Sequence, residues 1–188
     1  MHILLGASNV VRMTKQFPLE YATSLAVSGA SVCQLPGHPW LKSIFKEYLR
    51  HGPRINEDDV LIIMAGTNDF NRGVGVPQFT KNFRSLIRLC RRSFSKIVLC
   101  KIPPIPARLE RLNDIMIVNC WLEDFALTDK GDLSIVDTFL PFVDPTTFQP
   151  DLDFFELTYW HGGEDMIHLN ALGLFALKVL MLQGTEEF

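Results

Sequence analysis

The sequence predicts an α/β fold with a central, mainly parallel five-stranded sheet that helices cover on both faces. Five short runs of β-branched and aliphatic residues recur along the chain, and helix-compatible stretches separate them. Such alternation is typical of a parallel sheet, because each crossover between parallel strands needs a connection about as long as a helix. The five runs are residues 3–5, 25–27, 60–64, 97–100 and 135–136.

The third run is the best candidate for the centre of the sheet. Residues 60–64 read VLIIM, with no alternation of apolar and polar side chains. A strand that is buried on both faces has this pattern, whereas a strand with one face in water alternates. We therefore expect this run to form a central strand.

Two helices are predicted from their apolar spacing and their ends. Apolar side chains repeat every three or four residues over 79–94, and a second helix follows Asn170, a favoured N-cap residue, and ends near Gly184. The other face of the first helix carries Lys81, Arg84, Arg88, Arg91 and Arg92. Such a basic stripe is usually a solvated face, and the alternative is an anionic partner such as a membrane surface or an RNA backbone.

Composition narrows the class of protein. The 188 residues carry 18 basic and 21 acidic side chains, a net charge of −3, so nucleic-acid binding is not expected through this domain alone. The longest apolar runs fall short of the ~20 residues that span a bilayer, and Met1 enters a strand-like segment without a charged leader. We expect one intracellular, cytoplasmic domain over residues 1–188, with no cofactor and an unassigned oligomeric state. Two alternatives stay open: association with a membrane, and excision of the domain from a longer chain.

The cysteines give no sign of a metal knuckle or a disulfide scaffold. The chain has four cysteines and no C-x-x-C pair. We expect all four to be reduced residues of the core: Cys33, Cys90, Cys100 and Cys120.

Small polar turns follow the first three predicted strands. They read GASN at 6–9, SGAS at 28–31 and GTND at 66–69. In a parallel sheet, ligands bind outside the carboxyl ends of the strands, so these turns should converge. Ser8 would lie on a tight strand-to-helix turn, where the unpaired N–H groups of the following helix favour a developing negative charge.

These turns contain the groups that acyl transfer needs. Ser8 offers a hydroxyl nucleophile, and the N–H groups of Ser8 and Gly29 with the side-chain amide of Asn68 could hold the oxyanion. A serine nucleophile also needs a base, which in turn needs an orienting group. Asp165 and His168 lie three residues apart just before the last helix. The carboxylate could accept the Nδ1 hydrogen of the imidazole while Nε2 faces Ser8.

The order of these blocks resembles that of the SGNH or GDSL hydrolases, a family named for blocks that carry Ser, Gly, Asn and His. The corresponding blocks here are GASN, SGAS, GTND and DMIHLN. The resemblance implies a three-layer α/β/α, flavodoxin-like fold and metal-free ester hydrolysis. It implies Ser8 as nucleophile, His168 as base and Asp165 as its partner, with Gly29 and Asn68 as oxyanion donors.

One position departs from the family pattern. The aspartate that usually precedes the nucleophile is replaced by Ala7, which removes a polar group that could brace the turn. We expect either a reduced activity or another residue, such as Asn9, in that bracing role. Gly37 is a weaker rival to Gly29 for the glycine block.

The chain also resembles, more narrowly, the esterase domain in the first open-reading-frame protein of some non-LTR retrotransposons. That domain is a compact SGNH hydrolase without a signal peptide, and the resemblance implies acyl esters, including lipids, as substrates. The segment 138–164 is either a loop that extends the core or a substrate lid or lipid-facing flap. Its aromatic residues are Phe139, Phe142, Phe148, Phe154, Phe155, Tyr159 and Trp160.

Two alternatives compete with a serine esterase. His161, Glu164, Asp165 and His168 have the residue types of a zinc site, but Gly162 and Gly163 disfavour a regular element that would align them. The second is a catalytically weak module that binds lipid or a protein partner within a retrotransposon nucleoprotein. Ala7 and the basic stripe motivate it.

Overall fold

The computed structural model describes residues 1–129, 132–159 and 162–186, and its centre is one five-stranded sheet. The strands lie in the order β2-β1-β3-β4-β5, and all four neighbouring pairs are parallel. Their bounds are His2–Gly6 (β1), Ala22–Ser24 (β2), Val60–Met64 (β3), Lys96–Cys100 (β4) and Asp132–Val136 (β5). This is the flavodoxin-like order, and β3 lies at the centre as predicted.

Helices cover the sheet on both faces. The α-helices are Ser8–Gln16 (α1), Leu41–His51 (α2), Thr67–Asn71 (α3), Val76–Cys90 (α4), Leu112–Thr128 (α5) and Ala171–Gln183 (α6). Short 3₁₀ turns lie at Pro106–Arg111, Leu140–Phe142 and Leu152–Phe154. Apolar residues of α2, α4 and α5 pack on one face of the sheet, and those of α1 and α6 pack on the other. The predicted three-layer α/β/α sandwich is confirmed.

Strand β3 contributes to both cores. Leu61 and Ile63 pack in the core on the side of α2, α4 and α5, whereas Val60, Ile62 and Met64 pack on the side of α1 and α6. All five side chains are buried. The absence of alternation in the sequence therefore reflects a strand covered on both faces.

The predicted second strand is wrong by three residues. Strand β2 is Ala22–Ser24, and residues 25–27 lie beyond it, although the N–H groups of Leu25 and Val27 still donate to the carbonyls of Leu4 and Gly6. β2 is an edge strand whose residues are half-buried or exposed. An edge strand does not need a run of apolar residues. The prediction from apolar residues therefore selected residues 25–27, which directly follow the strand.

Both predicted helices are present, and the first is shifted at both ends. Helix α4 starts at Val76 and ends at Cys90 rather than continuing to Phe94. Helix α6 follows Asn170, whose Oδ1 accepts a hydrogen bond from the Gly173 N–H at 3.0 Å. The predicted N-cap is therefore present with its capping bond.

The aromatic segment mainly extends the core. Phe142 and Phe155 are buried on the α1 and α6 side of the sheet, and Phe142 contacts the ring of Phe154 edge-on. Phe148 is 65% exposed. Trp160 lies outside the described residues. Most of the described aromatic rings thus belong to packing.

The cysteine and charge predictions need one correction each. Cys33, Cys90 and Cys100 are buried, but Cys120 is exposed because it lies on the outer side of α5. Arg91 is half-buried and pairs with Asp129 at 2.5 Å, so it is not part of a solvated stripe. The anionic partner of the remaining basic side chains stays a prediction, as does the single-domain organisation. No helix in the described part of the chain has the length and apolar character needed to cross a bilayer.

Candidate active site

The sheet order reverses at β1, and a cavity lies near this point. β1 has β2 on one side and β3 on the other, so successive connections leave in opposite directions and open a crevice at the carboxyl ends. The cavity has a volume of about 370 Å³. Its lining is Ser8, Arg12, Ser28, Gly29, Asn68, Asn71, Arg72, Tyr159, Ile167 and His168. The predicted convergence of the three turns with the histidine block is therefore present.

Ser8 is the first residue of α1, and Gly6 makes the preceding turn possible. A Cβ on Gly6 would lie 2.6 Å from Val10 Cγ2 and 2.8 Å from the Met64 carbonyl oxygen. Glycine thus lets the end of β1 approach both α1 and β3. Ala7 is buried in the core that includes α2, α4 and α5. The half-buried Ser8 consequently sits where the N–H groups of α1 lack helical partners.

Gly29 lies in a tight turn that needs a left-handed backbone. Its φ is +77°, and the turn is closed by a hydrogen bond from the Ala30 N–H to the Val27 carbonyl at 3.0 Å. A side chain at this position would be strained. Gly37 also has a positive φ of +72° but does not line the cavity. The structure therefore places Gly29, and not its rival, beside Ser8.

Asn68 is fixed by a hydrogen bond to the glycine block. Its Nδ2 donates to the Ala30 carbonyl at 2.8 Å, and the residue is only 7% exposed. This bond uses one of the two Nδ2 hydrogens and sets the plane of the amide. Asn68 belongs to α3, a short helix that starts directly after β3. The carboxyl end of β3 thus positions the amide against the turn that follows β2.

Asp69 stabilises the chain that follows the glycine turn. Its carboxylate accepts hydrogen bonds from the N–H groups of Val32 at 3.0 Å and Cys33 at 2.8 Å. Asp69 is fully buried. Burial raises the pKa of Asp69, while the hydrogen bonds from Cys33 and Val32 act in the opposite direction. The residue ties α3 to the chain after Gly29.

His168 is oriented by Asp165. Nδ1 of the imidazole lies 2.8 Å from Oδ1 and 2.9 Å from Oδ2 of the carboxylate. Asp165 Oδ1 also accepts the N–H groups of Ile167 at 3.2 Å and His168 at 3.1 Å. The intervening Met166 has a φ of +48°, which closes the turn. Because a carboxylate only accepts, this contact favours the tautomer with hydrogen on Nδ1 and an acceptor at Nε2.

The residue after Ser8 connects the nucleophile turn to the histidine loop. Asn9 is buried, and its Oδ1 accepts a hydrogen bond from the Leu169 N–H at 3.1 Å. The suggested bracing role of Asn9 thus has a structural counterpart, although the residue braces the loop after His168. The sequence alone does not predict this hydrogen bond, because Asn9 and Leu169 lie far apart in the chain.

Sequence reasoning also missed three residues that line the cavity. Arg12 pairs with Glu156 at 2.8 Å, and Arg72 Nη1 lies 3.3 Å from the Asn68 carbonyl and 3.5 Å from that of Gly29. Tyr159 meets the His168 ring edge-on at 6.2 Å, and burial, followed by the charge of Asp165, raises the pKa of Tyr159. Arg12 and Arg72 each lie four residues after a predicted site residue, the spacing that places side chains on one helix face.

The zinc alternative gains no support from the described part of the chain. There, no group of three or more His, Cys, Asp or Glu side chains is arranged to hold a metal ion. His161 lies outside the described residues. Asp165 turns its carboxylate to the His168 ring instead.

A family model matches this chain over residues 7–174, from the nucleophile turn into α6. Its description is GDSL-like lipase/acylhydrolase. The chain belongs to the GDSL-like lipase/acylhydrolase family. The resemblance of the four sequence blocks to this family is confirmed, and no curated protein matches the chain in sequence.

Solved structures share the family fold at low sequence identity. A Bacteroides fragilis protein described as an acylhydrolase has a TM-score of 0.77 and 17% identity, over 99% of this chain and 86% of that one. A GDSL-like lipase from Bacteroides thetaiotaomicron has a TM-score of 0.76 and 18% identity, over 99% and 87%. The C-terminal domain of Drosophila Oskar has a TM-score of 0.74 and 14% identity, over 98% and 87%. At these identities, the three structures show a shared fold.

Proposed function

We propose that this member of the GDSL-like family is a serine esterase that hydrolyses carboxylic esters through Ser8, His168 and Asp165. The observation that carries the proposal is the joint lining of one cavity by Ser8, Gly29, Asn68 and His168, with the imidazole held by a buried carboxylate. Each group alone has an ordinary structural role. Together they match the needs of acyl transfer.

The proposed reaction has two steps, acylation of Ser8 and hydrolysis of the acyl-enzyme. Ser8 Oγ forms a bond to the ester carbonyl carbon as its proton moves to Nε2 of His168, and the carbonyl electrons move to the oxygen. The oxyanion then collapses, the bond to the leaving oxygen breaks, and His168 returns the proton to the departing alcohol. A water molecule, deprotonated by His168, attacks the acyl-enzyme in the same way and releases the acid with Ser8 restored.

The oxyanion would be held by three donors: the N–H groups of Ser8 and Gly29 and the Nδ2 of Asn68. Ser8 N–H belongs to the first turn of α1, where N–H groups have no helical acceptor and the helix dipole favours negative charge. Asn68 is already fixed by Ala30, so little reorganisation is needed when charge develops.

A short acyl group fits the site better than a long one. The cavity of about 370 Å³ is near the lower end of typical ligand pockets. Phe142 and Phe155, which could have lined a channel for a lipid chain, are buried in the core instead. We infer acetyl or similarly short esters as substrates, and a series of esters with increasing acyl length would test this. A rate that rises toward long chains would favour the lipid alternative.

The first experiment compares the wild type with Ser8→Ala. We expect hydrolysis of p-nitrophenyl acetate by the wild type, loss of that activity in Ser8→Ala, and a fluorophosphonate adduct that mass spectrometry maps to Ser8. Ser28→Ala is the matched control, because it removes a second hydroxyl from the same cavity. A folded wild type with no adduct and only the background rate would replace the esterase with the binding-module alternative.

A further inference from the structure

The charged groups around the cavity are unequally distributed. Two guanidinium groups, those of Arg12 and Arg72, line it, and no carboxylate of the described residues does. Asp165 is 4% exposed and lies behind the imidazole of His168. A cleft lined by one sign of charge favours ligands of the opposite sign. These two cationic side chains lie on a chain whose net charge is −3.

The two arginines differ in their partners. Arg12 has its charge compensated by Glu156 at 2.8 Å. Arg72 is half-buried, and its polar contacts are to the carbonyl oxygens of Asn68 and Gly29, at 3.3 and 3.5 Å. Among the described residues, no carboxylate forms an ion pair with Arg72. Its guanidinium, which has five N–H donors, keeps capacity for an anion.

Arg72 is also close to the place where the ester would react. Its Nη1 contacts the carbonyl of Gly29, the residue whose N–H is proposed as an oxyanion donor. Both contacts of Arg72 with carbonyl oxygens are long for hydrogen bonds, at 3.3 and 3.5 Å. An anionic ligand could therefore replace them at a small cost in free energy. A negative group a few bonds away from the scissile carbonyl would lie within reach.

We propose that Arg72 selects esters that carry a carboxylate or a phosphate group near the scissile bond. This inference rests on the proposed esterase function and deepens it by naming the substrate class. Arg72 would be a specificity-determining residue, and the substrate would be a small acylated anion. Arg12, whose charge is compensated by Glu156, would contribute little to anion binding.

A purely structural role for Arg72 makes a different prediction. If the guanidinium only braced the carbonyls of Gly29 and Asn68, its removal would lower the rate for neutral and anionic esters equally. If it binds an anion, its removal affects the anionic esters. The ratio of kcat/KM between matched charged and neutral esters therefore separates the two roles.

The experiment uses three acetyl esters with the same acyl group and similar leaving groups: 3-acetoxybenzoate, 3-acetoxyphenyl phosphate and the neutral 3-acetoxybenzamide. Acetate release is measured for the wild type, Arg72→Gln, Arg72→Lys and Arg54→Gln. Arg54 is an exposed arginine that follows α2, so Arg54→Gln loses the same charge outside the cavity lining. Thermal unfolding of each variant checks that it folds.

We expect the wild type to prefer an anionic ester over the amide and Arg72→Gln to reduce that preference about tenfold or more, mainly through KM. Arg72→Lys should keep part of the preference for anionic esters, and Arg54→Gln should keep all of it. The benzoate and phosphate arms show which anion Arg72 prefers.

Three results would overturn the inference, and they distinguish its failure from that of the proposed esterase. If Arg72→Gln lowered kcat/KM equally for all three esters, or if the wild type showed no preference among them, the anion-binding role of Arg72 would be rejected. The proposed esterase function would be unaffected. Absence of hydrolysis for every ester, with no fluorophosphonate adduct at Ser8, would reject the esterase itself and the inference with it.

Discussion

The two halves of the candidate active site are held in different ways. Ser8, Gly29 and Asn68 each follow a strand of the sheet by a few residues, so the parallel ladder between β1, β2 and β3 fixes their relative positions. Asp165 and His168 follow no strand directly and lie in a loop after β5. The half with the proposed nucleophile (Ser8, Gly29 and Asn68, the nucleophile half) is therefore built on a rigid element. The half with the proposed base (Asp165 and His168, the base half) depends on individual hydrogen bonds.

The base loop is tied mainly by its own backbone. The N–H of Glu156 donates to the His168 carbonyl at 2.8 Å, and the N–H of Met166 donates to the Glu156 carbonyl at 2.8 Å. Its connections to the nucleophile half come from α1, through Asn9 to Leu169 and through the Arg12 ion pair with Glu156. Helix α1 therefore carries Ser8, the proposed nucleophile, and also contacts the loop that holds His168, the proposed base.

Asp165→Asn is expected to have the largest effect, because it acts on the base half. Asn can still accept the backbone N–H groups through its oxygen, but its Nδ2 would face Nδ1 of His168 and favour the opposite tautomer. Nε2 would then carry the hydrogen and could not accept the proton of Ser8. We expect kcat to fall about 10⁴-fold, with little change in the thermal midpoint.

The control for this variant is the fold itself. Circular dichroism and the unfolding temperature should stay near those of the wild type. A loss of less than about tenfold would mean that the carboxylate serves the turn and not the imidazole, and the base half would need another orienting group.

Asn68→Ala tests the nucleophile half, and we expect a smaller fall in kcat than for Asp165→Asn. Removing one oxyanion donor typically lowers kcat by about 10²- to 10³-fold. The same variant also loses the bond to Ala30, so its effect combines a missing donor with a looser glycine turn. Asn82→Ala is the matched control, since Asn82 makes an equivalent 2.8 Å bond to the Gln78 carbonyl on α4. A change in KM alone would contradict the oxyanion role.

Much of the fold was predictable because its signals are local. The apolar run of β3 coincides with the strand, since burial on both faces demands continuous apolar residues. The prediction misplaced β2 because the residues of an edge strand, here Ala22–Ser24, need not be apolar. Helix α6 was found through the capping residue Asn170, whose bond lies within its own first turn.

The candidate site was predictable to the same extent. Ser8, Gly29 and Asn68 follow strands, and Asp165 and His168 are three residues apart, so each block is visible in a short stretch of sequence. Arg72 and the Asn9 contact were missed because their roles come from residues distant in the chain, which only the fold brings together. A scan of residues four positions after each candidate would have found Arg12 and Arg72.

Asn9→Ala breaks the connection between the two halves and should have the smallest effect on rate. It leaves the buried Leu169 N–H without its acceptor, which typically costs about 1–3 kcal/mol of unfolding free energy. For a chain of this length, each kcal/mol lowers the unfolding midpoint by about 2–4 °C. Because His168 directly precedes Leu169, a shift of the loop should also lower kcat, by about tenfold, or about 1.4 kcal/mol of activation free energy.

Ser134→Ala separates the two consequences of the Asn9 variant. Ser134 is buried in β5 and donates to the Gly184 carbonyl at 3.3 Å, remote from the cavity. Loss of this hydrogen bond should lower the unfolding midpoint and leave kcat unchanged. That result would show that a loss of stability does not by itself lower the rate. If Asn9→Ala behaves in the same way, the base half holds its position without α1, and the backbone bonds of the loop are sufficient to orient His168.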